Sequence, residues 1–187
     1  DRKMNREKNT RVRQIVTHPL YQQEFSALQR AEQGRIYCNH TMEHFLDVAR
    51  ICYILILQDG ADLPRELIYG AALLHDLGRY RQIADGTPHE VASAQLAEEI
   101  LADCGFAEEE IKAVAEAILQ HRHHGEAEPS GEYAAVDDAK NDAGTVERIL
   151  LGDYLYRADK MSRLCFCCEA RESCKWSEEE KNMEIIL

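Results

Sequence analysis

Apolar residues recur three or four positions apart through most of this chain, which is the spacing of one face of an α-helix. The clearest stripe lies between Thr41 and Gln58, before Asp59 and Gly60 end it. Its members are Phe45, Val48, Ala49, Cys52, Ile56 and Leu57. No segment alternates apolar and polar residues convincingly, as a half-buried strand would. The spacing therefore predicts an all-α protein, folded as a compact bundle of several helices.

Capping residues and glycines mark where the other helices begin and end. The predicted helices run from Pro19 to Gly34, from Pro64 through His75 and Asp76 to a C-cap glycine at Gly78, from Thr87 to Gly105, from Ala107 to His121, from Val146 to Asp159, and from Ser177 onwards. Thr87 and Ser177 each have a glutamate three residues later, which is typical of a capping box. The polar stretch from Gly125 to Gly144 is predicted to be a long loop.

A chain of 187 residues is long enough to bury the core of one medium-sized domain. We expect an N-terminal helical extension over 1–34 that packs on the core, a principal domain over 35–164, and a cysteine-rich segment with a short helix over 165–187. No stretch approaches the ~18 uninterrupted apolar residues of a membrane span, so no membrane partner is expected. Residues 1–13 are polar and charged, without the apolar region of a signal peptide.

The formal net charge of −12 argues against a nucleic-acid polymer as partner, because binding along phosphates needs a basic face. It is compatible with a small anionic substrate in a locally basic pocket, such as a nucleotide or another phosphate ester. Seven cysteines, an odd number, fit a cytoplasmic protein with reduced thiols better than a secreted disulfide scaffold. No feature of the sequence indicates an oligomeric state.

The candidate chemistry lies at helix ends. Asp76 closes an apolar helix, where a buried carboxylate near the negative end of the dipole is unfavourable unless a cation compensates. A divalent metal shared with His75 meets that need, because imidazole and carboxylate are common metal ligands. Further candidates at helix ends or inward faces are His40, His44, His89, His121 and Asp159. Each alone is typical of a surface, capping or salt-bridge residue, but a helical bundle brings such positions into one pocket.

The order and context of these residues resemble the HD superfamily of metal-dependent phosphohydrolases. The matching segments are His44-Phe45-Leu46-Asp47-Val48-Ala49-Arg50, Ala72-Leu73-Leu74-His75-Asp76-Leu77-Gly78-Arg79 and Arg157-Ala158-Asp159-Lys160. The resemblance spans most of the chain, from Arg35 to Arg163. It implies that 35–164 is an HD-type domain, built as a helical bundle with its metal site in the core.

The resemblance also implies which residues bind metal. One divalent ion would be held by the four family ligands, which here are His44, His75, Asp76 and Asp159. Part of the family binds a second ion through two more histidines, which implies His89 and His121, with Asp76 bridging the two ions. His123 and His124 are alternatives to His121. This nitrogen and oxygen ligand set suits iron, manganese, zinc, cobalt or nickel.

By the same resemblance, we expect metal-activated water to attack the phosphorus of a small phosphate ester or nucleotide. His40 lies four residues before His44, where the distantly related cyclic nucleotide phosphodiesterases place a proton-donating histidine. Gly78-Arg79 stands where the family often has Gly-Lys, and arginine binds phosphate bidentately. The candidate catalytic residues are Asp76, His40, Arg79 and Lys160, and the candidate phosphate contacts are Arg79, Arg122, Lys160 and Arg163.

A second feature is the cysteine cluster that follows the principal domain. Its candidate ligands are Cys165, Cys168 and Cys174, the first two separated by two residues as in a metal knuckle. The cluster is a candidate for zinc or an iron–sulfur centre, with Cys38 or a histidine as the fourth ligand. The neighbouring Cys167-Cys168 pair also makes it a candidate redox site. The alternative is small thiols packed around Trp176.

Three classes of function follow from these observations. The complete ligand set favours a metal-dependent phosphohydrolase. The same site would serve a non-catalytic, metal-bound module that senses a nucleotide, and only turnover separates the two. The third class is a redox or metal sensor that acts through the cysteine cluster on a helical scaffold.

Overall fold

A computed structural model of the chain describes residues 10–121 and 143–185, with side chains described over 11–121 and 151–185. In this part of the chain the regular structure is helical, without β-strands. The helices are α1 (Thr10–Thr17), α2 (Pro19–Ala31), α3 (Met42–Gln58), α4 (Arg65–Leu74), α5 (Arg79–Asp85), α6 (His89–Asp103), α7 (Glu108–Gln120) and α8 (Ala143–Met161). Two single-turn 3₁₀ helices follow, at Cys165–Cys167 and Arg171–Ser173. The prediction of an all-α fold is confirmed.

Helix α4 lies at the centre of the bundle. It packs against α1, α3, α6, α7 and α8, and most of its residues are buried. Helix α7 in turn packs along both α6 and α8, and α3 packs along α8. Because α4 ends inside this core, the residues that follow it enter the interior of the bundle, and His75, Asp76 and Leu77 are all buried.

Polar contacts at both ends of α3 fix its position. The side chain of Thr41 caps the helix by accepting from the backbone N–H of His44 at 3.4 Å. Asp59, at the other end, accepts from the hydroxyl of Tyr154 at 3.0 Å and from Arg157 at 3.3 Å, both on α8. These contacts hold α3 against α8, so that each helix brings its functional side chains to the same part of the core.

Helix α1 is not among the predicted helices, although Val12, Ile15 and Val16 have the spacing of one helical face. Ile15 is fully buried. Arg11 joins α1 to two other helices, since its guanidinium donates to Glu66 at 2.6 Å and to Glu110 at 2.7 Å. The guanidinium also lies 4.2 Å from the ring centroid of Phe106.

The predicted C-terminal end of the helix through His75 and Asp76 is wrong, because α4 stops at Leu74. Gly78 is not a C-cap glycine either, since its φ of −74° is open to any residue. It precedes α5, a helix that the sequence pattern does not predict. A Cβ at Gly78 would lie 2.5 Å from the backbone nitrogen of Ser93 on α6. Glycine is therefore needed there because two backbones approach closely.

Both predicted capping boxes need correction. Helix α6 begins at His89 and has Pro88 as its N-cap, so it has no side-chain cap. The backbone N–H of Thr87 donates to Asp85. Ser177 and Glu180 do form the reciprocal hydrogen bonds, but they close only a turn and the predicted last helix is wrong. No residue in 177–185 is buried, so the segment has no packed face to sustain a helix.

Two predictions lie outside the described residues. The loop predicted from Gly125 to Gly144 lies almost entirely there, and so do Arg122, His123 and His124. In the part of the chain that the structure describes, no helix has the length and apolar character to cross a membrane.

Candidate metal centre

The centre is built around the turn that follows α4. His75 is fully buried, and its Nδ1–H donates to the carbonyl of Ala72 at 2.7 Å. This bond fixes the ring so that Nε2 carries the lone pair, 3.3 Å from Oδ2 of Asp76. The backbone thus places an imidazole nitrogen and a carboxylate side by side in the core of the bundle.

A first group of ligands brings three elements together. His44 of α3, His75 and Asp76 of the turn, and Asp159 of α8 place one donor atom each within 4.8 Å of one another. Oδ1 of Asp159 lies 3.7 Å from Nε2 of His44 and 3.9 Å from Nε2 of His75. The hydroxyl of Ser162 donates to the carbonyl of Asp159 and lies 3.3 Å from Nδ1 of His44. It therefore accepts from that nitrogen and leaves Nε2 as the ligand atom.

A second group shares Asp76 with the first. Donor atoms of Asp76, His89 and His121 also lie within 4.8 Å of one another. Oδ1 of Asp76 is 3.2 Å from Nε2 of His89 and 3.8 Å from Nε2 of His121, whereas Oδ2 faces His75. Nδ1–H of His121 donates to the carbonyl of Ile118, which directs its Nε2 inward. The two oxygens of Asp76 thus point to different histidine groups.

The protonation states of these groups suit metal binding. Burial, followed by repulsion from His75, lowers the pKa of His44 to about 4, and burial also lowers the pKa of His121. Burial acts in the opposite direction on Asp76, but Arg79 and the nearby histidines outweigh it and hold its pKa well below the usual value. Lys160 and His75 similarly outweigh burial and lower the pKa of Asp159. Ionised carboxylates therefore face neutral imidazoles at His44 and His121.

His75 differs from the other histidines in the direction of its shift. Burial lowers its pKa, but the carboxylates of Asp76 and Asp159 outweigh burial and raise it above the usual value. Nε2 of His75 and Nε2 of His44 are buried nitrogens that have no hydrogen-bond partner among the described residues. A buried polar atom without a partner costs roughly 1–3 kcal/mol. A divalent cation between these nitrogens and the carboxylates would remove that cost, so the residues present fit a metal.

His40 adds a buried imidazole beside the first group. Its Nδ1 lies 2.6 Å from one oxygen of Glu32, and its backbone N–H donates to the other at 2.8 Å. Its Nε2 lies 3.3 Å from Oδ2 of Asp76. Burial raises the pKa of Glu32, but hydrogen bonds from His40 outweigh it and hold the pKa below its usual value. His40 is predicted from the sequence, whereas Glu32, eight residues earlier at the end of α2, is not.

Three of the four predicted phosphate contacts border this centre. Arg79 donates through Nε to Oδ1 of Asp76 at 3.0 Å, and Lys160 donates to Oδ2 of Asp159 at 2.8 Å. Arg163 lies 3.6 Å from that same oxygen and stacks on the ring of Trp176 at 4.2 Å. Arg122, the fourth, is outside the described residues.

A cavity of about 440 Å³ opens onto the metal centre. The cavity is lined by three of the ligand histidines, by Asp159, by the three basic residues, by the segment from Arg35 to Thr41 that includes His40, and by the cysteine-rich segment. Cys165 is buried, and Cys168 and Cys174 are half-buried. All of the chain's cysteines are free thiols. The volume is that of a small-molecule pocket.

The fold and the two ligand groups define a helical protein with a metal centre in its core. The profile of the family described as HD domain matches residues 41–164. An uncharacterized protein from Clostridium beijerinckii is 37% identical over 154 residues, which are 82% of this chain and 84% of that protein. A crystal structure of a predicted HD superfamily hydrolase from an uncultured Thermotogales bacterium has a TM-score of 0.57 at 19% identity, over 90% of this chain and 82% of that chain.

This chain therefore belongs to the HD-domain family, whose members are generally metal-dependent phosphohydrolases. The family resemblance of the sequence is confirmed. The structural match shows the fold, which is the same helical arrangement. The structure brings together His44, His75, Asp76, His89, His121 and Asp159, as the resemblance implies.

Proposed function

We propose that this protein is a phosphohydrolase that uses one or two divalent metal ions to cleave a small phosphate ester, with a nucleotide as the substrate class. The observation that carries the proposal is the pair of ligand groups that share Asp76 beside Arg79, Lys160 and Arg163. A metal bound there polarises phosphate oxygens and lowers the pKa of water towards neutrality.

The basic side chains prepare the cavity for an anion. Arg79 contacts Asp76 only through Nε, which leaves its terminal nitrogens to a phosphate group. Lys160 and Arg163 both lie beside Asp159, which belongs to the first ligand group. Their positive charges oppose the chain's net charge of −12 and favour a phosphoryl group over a neutral ligand.

His40 is suited to protonate the leaving group. Glu32 accepts from its Nδ1–H, which holds the ring so that Nε2 faces the cavity next to Asp76. In the proposed reaction Nε2–H transfers its proton to the ester oxygen as the P–O bond breaks. Glu32 is then a positioning residue, because it contacts His40 and not the substrate.

The test is a phosphatase screen of the purified chain with manganese, ferrous iron or zinc, using a phosphate monoester, a phosphodiester and a set of nucleotides. Asp76→Ala should lower kcat/KM by at least about 10³-fold, because both ligand groups lose a member. Asp62→Ala, at an exposed position between α3 and α4, is the matched control and should act like the parent chain.

Two results would contradict the proposal. Equal activity in the parent chain and Asp76→Ala would mean that a contaminating phosphatase is being measured. Tight binding of metal and nucleotide without turnover in any metal would instead support the non-catalytic sensing module. Comparison of the monoester with the diester assigns the type of phosphate ester.

A further inference from the structure

Four cysteines from two distant parts of the chain converge beside the metal centre. Cys38 lies in the segment between α2 and α3, and three more of these cysteines follow α8. All four line the same cavity, as does the exposed Cys167. The four are Cys38, Cys165, Cys168 and Cys174. Burial raises the pKa of the Cys38 thiol, Arg163 lowers it, and each of the other three cysteines raises it. The thiols of Cys165, Cys168 and Cys174 therefore lie near Cys38, which completes a set of four without the exposed Cys167.

The remaining cysteines have different surroundings. Cys52 and Cys104 are buried in the core, and burial raises the pKa of Cys52 to about 12. Cys167 is exposed, and its thiol donates to the carbonyl of Leu164 at 3.5 Å. These three residues provide natural controls for the four that converge.

The cysteine-rich segment has little else to hold it in place. In 164–185 the only buried residue is Cys165, and Leu164 is 60% exposed. The regular structure in 164–185 is two single-turn 3₁₀ helices, and the side chain of Asn182 ties the segment to the carbonyls of Met161 and Arg163. A segment with so small an apolar core usually depends on a covalent or metal cross-link.

The surroundings are positively charged and include a group without a partner. Arg163 is buried, and its Nη1 has no hydrogen-bond partner among the described residues. Arg35 and Lys175 line a cavity of about 270 Å³ together with Cys38, Cys174 and Trp176. An anionic group bound by the thiolates would satisfy Arg163 and fill part of this space.

No three of these thiols lie as close together as a single zinc ion requires. A zinc ion bound by thiolates at about 2.3 Å in a tetrahedron needs sulfurs only about 3.8 Å apart. Among the described residues, the groups of three or more donor side chains within 4.8 Å of one another both lie at the histidine centre, and neither includes a cysteine. An iron–sulfur cube binds each thiolate at a different iron, and therefore needs thiols that are close but further apart.

We propose that Cys38, Cys165, Cys168 and Cys174 bind a four-iron iron–sulfur cluster that fastens the cysteine-rich segment over the metal centre. Each thiol releases its proton to solvent and binds one iron. Two ferrous ions, two ferric ions and four sulfides, supplied during assembly, form the cluster without a further oxidant. Cys38 lies two residues before His40, and Cys165 lies two residues after Arg163. The cluster thereby fixes a wall of the substrate cavity. It does not depend on the proposed hydrolysis.

The experiment is anaerobic reconstitution of the full chain with equal amounts of ferrous and ferric iron and with sulfide, followed by measurement of iron, acid-labile sulfide and visible absorption. We expect about four sulfides per chain. Acid-labile sulfide is decisive because iron at the histidine centre carries none. Cys38→Ser and Cys174→Ser should lose most of the sulfide and the visible absorption, whereas Cys167→Ser and Cys104→Ser should retain both.

Asp76→Ala separates this proposal from the proposed function, because it should keep the sulfide while it loses metal at the histidine centre. Circular dichroism checks that Cys38→Ser retains its helices, and alkylation with mass spectrometry should show the four thiols protected only in the reconstituted chain. The proposal is overturned by one zinc and no sulfide per chain, by equal loss of sulfide in Cys167→Ser, or by absence of sulfide in every reconstituted preparation.

Discussion

Asp76 shows how one residue can serve two ligand groups. Its oxygens are 3.2 Å from Nε2 of His89 and 3.3 Å from Nε2 of His75, on opposite sides of the carboxylate. A fully buried carboxylate is costly unless positive charge surrounds it. Arg79 and the histidines supply part of that charge, and a metal would supply the rest. The local sequence already indicates that Asp76 needs positive charge around it, because the aspartate follows an apolar helix.

Glu32 and His40 form a second buried pair. Its proposed role in protonating the leaving group can be tested with substrates that have different leaving groups. Glu32→Gln keeps the size of the side chain but removes the carboxylate that holds Nδ1–H of His40. We expect kcat to fall at least about tenfold for substrates with an alcohol leaving group, with little change in KM. A nitrophenyl ester should be much less affected, because its leaving group needs no proton.

The contrast between the two substrates identifies a positioning role. A general loss of structure would lower both rates together and would contradict the prediction. Glu98→Gln, at an exposed position of α6 away from the cavity, is the matched control. It should leave the ratio of the two rates unchanged.

The sequence reveals residues that stand in a local motif and misses those that act through a distant contact. His75 and Asp76 follow an apolar helix and match a family motif, so they could be predicted. Glu32 contacts His40 across a non-helical segment, and no spacing rule links the two. The choice of Cys38, and not a histidine, as the fourth ligand likewise needs the fold, because more than 120 residues separate Cys38 from Cys165.

Among the helices, the contact of α4 with α6 shows most clearly what the apolar spacing leaves out. The spacing predicts both helices, because each buries a regular apolar stripe. The apolar spacing assigns Gly78 to a helix end. Glycine is required at this position because the backbone of Ser93 on α6 leaves no room for a Cβ. The short helices α1 and α5 are also missed, because α1 carries its apolar spacing over only eight residues and α5 has no buried ones.

Two glycines near α4 should respond in opposite ways to alanine. Gly78→Ala places a Cβ 2.5 Å from the nitrogen of Ser93 and 2.7 Å from Cβ of Ala92, so helix α6 must shift. We expect a loss of about 1–3 kcal/mol in the free energy of unfolding. Gly70→Ala, inside α4, meets only side-chain carbons at 3.7 Å and should be neutral or stabilise by up to about 1 kcal/mol.

Denaturant unfolding of both variants, in chelator so that metal does not contribute, measures these changes. A Gly78→Ala chain as stable as the parent would show that α6 does not approach the turn so closely. Because Gly78 lies two residues after Asp76, the same variant should also weaken metal binding if α6 carries His89 away with it.

In the molecule as a whole, the metal centre joins most of the bundle. Its ligands come from α3, the turn after α4, α6, the end of α7 and α8. No other feature of the described residues connects so many elements through polar side chains of one site. A metal that binds only the folded chain adds its binding free energy to the stability of the fold.

Removal of metal should therefore lower the stability of the whole bundle. At a free metal concentration about 100-fold above Kd, binding adds about 2.7 kcal/mol, which corresponds to an increase in Tm on the order of 5–10 °C for a chain of this size. The measurement is a thermal melt in manganese and in chelator. Asp76→Ala should show nearly the same Tm in both conditions, because it removes a ligand from each group.

Cys174→Ser separates the two metal sites in this experiment, since it removes a proposed cluster ligand and leaves the histidine centre intact. It should keep the manganese-dependent rise in Tm in full. If Cys174→Ser abolished that rise and Asp76→Ala kept it, the stabilising metal would lie at the cysteines, and the histidine centre would not be the site that links the helices. A parallel rise in both variants would mean that manganese binds elsewhere on this acidic surface.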